Sequence, residues 1–169
     1  RSIFKRFLAK IFKHLYLWTE ERQVYIVEAD QIGQHVGGDS YNQWLSRHLP
    51  TESTLIKLKK EMDGFAKRPV FSIVMPVYNP SPAYFRAAIE SVQAQIYPEW
   101  ELCLSDDNSS DKEVKKIIKE YQKRDSRIKV VYRKENGHIA AASNSGLELA
   151  TGDYIVLMDQ DDLITTDAL

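Results

Sequence analysis

A single cysteine, Cys103, in a chain of 169 residues excludes an internal disulfide and fits a reducing compartment such as the cytoplasm. The seven glycines include no Gly-x-Gly, which disfavours a dinucleotide-binding turn. None precedes Lys-Ser or Lys-Thr, which removes the P-loop. No apolar run approaches the ~18 residues of a membrane-crossing helix. Charge of one sign is also missing: 23 basic against 24 acidic side chains leave a formal net charge of −1, and bulk charge points to no nucleic-acid partner. With 43% hydrophobic and 28% charged residues, the composition is that of a globular domain.

The charge is nevertheless unevenly spread. Residues 1–69 carry 12 basic and 8 acidic groups, a net of +4, whereas residues 70–169 carry 11 and 16, a net of −5. Ile3, Phe4, Phe7, Leu8, Ile11, Phe12, Leu15 and Tyr16 recur at helical spacing, with Arg1, Lys5, Arg6, Lys10 and Lys13 opposite them. Residues 1–22 therefore read as a basic amphipathic helix. Two occupants suit its apolar stripe: another domain, or the inner face of an anionic membrane contacted peripherally through residues 1–18. Residues 23–69 read as a helical lead-in and linker, with a short strand at Val24–Val27 and a helix capped by Asp39 or Ser40. A second lead-in helix spans about 52–63, capped by Thr51 and stopped by Gly64.

From residue 70 strands alternate with helices. Val70–Val77, Trp100–Leu104, Ile128–Tyr132 and Tyr154–Met158 read as strands, separated by helices near 82–95, 111–124 and 139–150, the second capped by Ser109 or Ser110. This order predicts an α/β fold, Rossmann-like, with a mainly parallel sheet and right-handed crossovers in a three-layer sandwich. Ligands of such sheets bind at the carboxyl ends of the strands. Both acidic clusters, Asp106-Asp107 and Asp159-Gln160-Asp161-Asp162, fall at that edge.

Each cluster alone fits a capped turn. Together on one edge they repel unless a cation lies between them, and hard divalent ions such as Mg²⁺ or Mn²⁺ prefer carboxylate oxygens completed by ligand phosphates. Asp-x-Asp aims alternate carboxylates at such a site and turns Gln160 away. A phospho-acceptor receiver domain also puts acids on a parallel edge, but after its first strand, whereas Asp106-Asp107 follow the second. A non-enzymatic nucleotide-binding or tethering fragment is a further reading.

Five segments, in order, resemble the nucleotide-binding half of a GT-A glycosyltransferase of family 2. They are Ser72-Ile73-Val74-Met75-Pro76-Val77-Tyr78-Asn79; Glu90-Ser91-Val92-Gln93-Ala94-Gln95; Trp100-Glu101-Leu102 through Asp111; Asn136-Gly137-His138 with Ala142-Ser143-Asn144-Ser145-Gly146; and Thr151-Gly152-Asp153-Tyr154 through Asp162. The likeness covers residues 70–169, and Tyr41-Asn42-Gln43-Trp44-Leu45 looks like the approach to this domain in large bacterial O-antigen and rhamnan-type transferases.

The resemblance implies roles. Pro76, Val77 and Tyr78 frame the nucleobase, Asp107 accepts from the pyrimidine N–H, and Asp106 supports the loop. Asp159 lies near ribose and metal, and Asp161 holds Mg²⁺ or Mn²⁺ against the diphosphate of a UDP- or dTDP-sugar. The reaction implied is inverting hexosyl transfer to a glycan or lipid-linked acceptor in bacterial surface-polysaccharide synthesis. The family often has Arg where this chain has Ser143, so a cation is missing there. The catalytic base is expected beyond Leu169, so residues 70–169 are expected to be a domain truncated at its C-terminal side, without transfer activity of its own.

Overall fold

The computed structural model describes residues 43–44 and 47–169. The basic amphipathic helix at 1–22 with its membrane contact, the strand at Val24–Val27 and the cap at Asp39 or Ser40 lie outside the described residues. Residues 49–169 form one compact unit. The elements run α1 (Glu52–Asp63), β1 (Phe71–Val77), α2 (Pro82–Gln93), β2 (Trp100–Asp106), α3 (Lys112–Arg124), β3 (Ile128–Tyr132), α4 (His138–Leu147) and β4 (Tyr154–Leu157).

Helix α1 starts where Thr51 Oγ1 accepts from the Thr54 N–H at 3.2 Å, and none of its residues is fully buried. The four strands are parallel, in the order β3-β2-β1-β4. The chain moves outward through β1, β2 and β3, then returns to the far side of β1 as β4. That reversal makes the gap between the carboxyl ends of β1 and β4 a topological switch point, where open α/β sheets leave a crevice for ligands.

Alternate residues of the central strands face different helices. Ile73, Met75 and Val77 of β1 and Trp100, Leu102 and Leu104 of β2 pack with Phe85, Ala88, Ile89 and Val92 of α2 and Val114, Ile117 and Ile118 of α3. The other face of the sheet meets α4 through small residues. A Cβ on Gly146 would lie 2.8 Å from Val74 Cγ1, so only glycine lets α4 sit this close. Cys103, fully buried on this face, has its thiol pushed up to about 11, chiefly by burial, and is no nucleophile. Because both faces of β1 and β2 are covered, these strands read as near-continuous apolar runs instead of alternating ones.

Several local readings change, two of them around β2 and the helix that follows it; α4 also ends at Leu147 and not near residue 150. Strand β2 runs two residues further than the sequence suggests, because Ser105 and Asp106 pair with both neighbours: Pro76 and Val77 on one side, Val131 and Tyr132 on the other. Helix α3 is capped by Asp111, whose carboxylate accepts from the Glu113 N–H at 2.8 Å, not by Ser109 or Ser110. Ser109 Oγ is already engaged, accepting from the Asn79 N–H at 3.0 Å.

Candidate functional site

A cleft of about 650 Å³ opens at the carboxyl edge of the sheet. Pro76, Val77, Tyr78, Asp107, Asp159 and Asp161 all line it, together with Asn136, His138, Ile139, Ala142 and Gln160. Four separate strand ends thus supply one surface. Asp106 stands apart from the lining: it is buried, and its Oδ1 accepts from the Ser109 N–H at 3.0 Å, holding the loop after β2.

Asp107 is buried to 2% exposure, so its charge needs partners. Its Oδ1 accepts from Arg133 Nε at 2.6 Å and from the Gly137 N–H at 3.0 Å. The same N–H lies 3.1 Å from Oδ2. A carboxylate offers about four lone-pair directions, so Oδ2 keeps capacity for one more donor from the cleft. Arg133 also donates through Nη1 to the Ala141 carbonyl at 2.9 Å and to Ser145 Oγ at 2.6 Å. This guanidinium ties β3, the loop after β2 and α4 into one wall. A side chain on Gly137 would collide with it.

Arg133 is a site residue that the motifs do not reveal. The available signal was its position, one residue past the end of β3 on the edge that carries the acids. Gln160 is a second such residue, and its expected orientation needs correcting. Instead of turning away, its Oε1 accepts from the Tyr78 N–H at 2.7 Å while its Nε2 donates to the Tyr78 carbonyl at 3.3 Å. The side-chain amide spans the switch point and fixes the backbone beside the Tyr78 ring. Asn79, with φ of 44°, fastens the same loop, its Oδ1 accepting from the Ser110 N–H at 2.9 Å and the Asp111 N–H at 3.1 Å.

Asp159 and Asp161 differ from Asp107. Both are exposed, and neither carboxylate has a hydrogen bond or ion pair among the described residues. Among the described residues no group of three His, Cys, Asp or Glu side chains could hold a metal on its own. Two free carboxylates suit Mg²⁺ or Mn²⁺ only in the manner typical of these ions, with water and ligand phosphates completing the octahedron.

An open parallel sheet with a cleft at its switch point defines the class: a Rossmann-like α/β domain, consistent with a GT-A fold. The glycosyl transferase family 2 model matches residues 72–169, and the chain belongs to that family. An uncharacterized protein of Sinorhizobium fredii is 54% identical over 101 residues, 60% of this chain and 11% of that one. The O-antigen biosynthesis protein RfbC of Myxococcus xanthus is 31% identical over 129 residues, 76% of this chain and 10% of RfbC. The chain thus spans about a tenth of the length of these two relatives. Among solved structures, S. aureus TarS 1–349 in complex with UDP-GlcNAc superposes with a TM-score of 0.53 at 30% identity, covering 57% of this chain and 28% of TarS.

Proposed function

We propose that the cleft binds the nucleoside diphosphate of a UDP- or dTDP-sugar, with Mg²⁺ or Mn²⁺, as the donor site of an inverting hexosyltransferase. The observation that carries this reading is the convergence of Tyr78, Asp107, Asp159 and Asp161 on one cleft, the last two with unspent carboxylates. The likeness to TarS with UDP-GlcNAc supports a uridine nucleotide, and the likeness to RfbC supports synthesis of a surface polysaccharide on a glycan or lipid-linked acceptor.

Pro76, Val77 and Tyr78 form the wall for the base. The free lone pair of Asp107 Oδ2 accepts the pyrimidine N–H, while Arg133 and the Gly137 N–H hold that carboxylate in orientation. Asp159 faces the ribose and the cation, and Asp161 ligates the cation. When bound, the divalent ion neutralises charge that develops on the departing nucleoside diphosphate. A nucleotide-sugar donor fits a protein of the cytoplasm; among the described residues no helix is long and apolar enough to cross a membrane.

The test is an NMR shift titration of the chain with UDP and dTDP, with and without Mg²⁺. Asp161→Ala is expected to remove most of the metal-dependent affinity, about tenfold, since a bond to a charged group contributes roughly 1.5–3 kcal/mol. Asp107→Ala should weaken binding with or without metal. Equal metal dependence in wild type and Asp161→Ala overturns the assignment.

A further inference from the structure

We propose that His138 binds the diphosphate of the nucleotide directly, its imidazole donating to phosphate oxygens independently of any metal. This rests on the nucleotide reading above and adds a residue to which neither the motifs nor the family likeness gives a role.

The charge inventory of the cleft is the first ground. Its lining includes three carboxylates, Asp107, Asp159 and Asp161, and among the described residues His138 is the only lining side chain able to carry positive charge. Arg133 is spent on Asp107, Ala141 and Ser145. A diphosphate entering this space meets carboxylates that repel it. An imidazole N–H, neutral or charged, is the one side-chain donor of its kind placed to oppose that repulsion.

Backbone conformation is the second, independent ground. His138 has φ of 64°, in the left-handed region where a side chain is disfavoured and glycine is not. Its N–H donates to Asn136 Oδ1 at 3.1 Å, a backbone contact that any residue would make. The imidazole itself is exposed, and no hydrogen bond, ion pair or ring contact engages it among the described residues. The fold therefore carries a conformational cost at position 138 and gains no hydrogen bond or ion pair from the side chain among the described residues. Costs of this kind persist where the side chain serves a ligand.

Glycine at 138 separates the two possibilities, because it relieves the backbone and deletes the imidazole in one step. The full chain is titrated with UDP and with uridine, without added metal, by NMR shift perturbation, and its melting temperature is measured. His138→Gly is expected to weaken UDP about tenfold, the loss of one charge-assisted hydrogen bond. Uridine binding should stay within about twofold, and the melting temperature should rise by about 2–4 °C as the strain is relieved. His138→Arg should recover most of the UDP affinity. Unchanged UDP affinity in His138→Gly overturns the proposal, as do equal losses for UDP and uridine, which would mark the position as structural. A wild-type chain that binds UDP no better than uridine also overturns it, while leaving the base-binding reading intact. A wild-type chain that binds neither overturns both.

Discussion

Carboxylates sit at both ends of this sheet in opposite circumstances. At the amino-terminal end, Glu101 is 7% exposed and surrounded by donors: Ser72 Oγ at 2.8 Å, the Thr151 N–H at 2.6 Å, Thr151 Oγ1 at 2.9 Å and Lys129 Nζ at 2.6 Å. At the carboxyl-terminal end, Asp159 and Asp161 are exposed and bind nothing among the described residues. Among the described residues, the non-glycine residues with positive φ, Asn79, Asn108 and His138, lie at this second end. One end uses charge to lock β1, β2 and the turn before β4 together. The other holds two carboxylates, Asp159 and Asp161, that no described residue of the fold engages. Asp107 joins the two habits: it is buried and paired like Glu101, yet one lone pair faces the cleft.

The largest expected effect comes from breaking the closed end. Glu101→Ala removes the anionic partner of Lys129 and the acceptor of the Thr151 N–H, the Thr151 hydroxyl and the buried Ser72 hydroxyl. The expected loss is about 3 kcal/mol of unfolding free energy, read by urea denaturation. UDP shift perturbations in the folded protein should be unchanged. A Glu101→Ala chain of native stability would show that the closed end is not what holds the sheet together.

Acid probes the same contrast. Burial pushes the Glu101 carboxyl up, but hydrogen bonds from Lys129, Thr151 and Ser72 outweigh it and hold the group at about 2, below its ordinary 4.5. A carboxyl depressed on folding adds stability that is fully present above its unfolded value. That contribution disappears as pH falls from about 4.5 through about 2. The gap corresponds to about 3 kcal/mol at neutral pH. Wild type should therefore lose urea stability between pH 5 and pH 2.5, approximately the range in which protonation sets in. Glu101→Gln should be less stable at neutral pH and should lose less over that interval. Parallel pH profiles for the two proteins would exclude Glu101 as the acid-sensitive group.

The sheet itself was legible because its central strands are apolar throughout and punctuated by Pro80, Pro98 and the acidic turns. Helix α1 and strand β3 have the boundaries that pattern and caps predict. The acids of the cleft were legible too, since topology alone sends the residues after parallel strands to one edge. What the pattern could not show are the bonds that organise that edge. Arg133 reaches Asp107 across 26 positions and Gln160 reaches Tyr78 across 82. Neither pair has a local signature, because both exist only once β3 and β4 take their places beside β2 and β1. The misplaced cap of α3 has the same origin: Ser109 is a good local cap, but Asn79, 30 positions away, takes its hydroxyl.

Gln160 gives the smallest expected effect and the finest test of the open end. Its amide makes two hydrogen bonds to the Tyr78 backbone, at 2.7 and 3.3 Å, at an exposed site where water can replace either partner. Gln160→Ala should therefore cost at most about 1 kcal/mol of stability, the net worth of an ordinary hydrogen bond. Its effect on binding should be of a different kind from that of Asp161→Ala. Tyr78 forms part of the wall assigned to the base, so loosening its backbone should weaken uridine and UDP alike, by about threefold, a change of roughly 0.6 kcal/mol. The metal-dependent increment should survive, because both carboxylates remain. Shift titrations with uridine, UDP and UDP plus Mg²⁺ resolve these components. A loss confined to the metal-dependent part would place Gln160 with Asp159 and Asp161 in holding the cation, and would remove its assignment as the clamp on the base-binding loop.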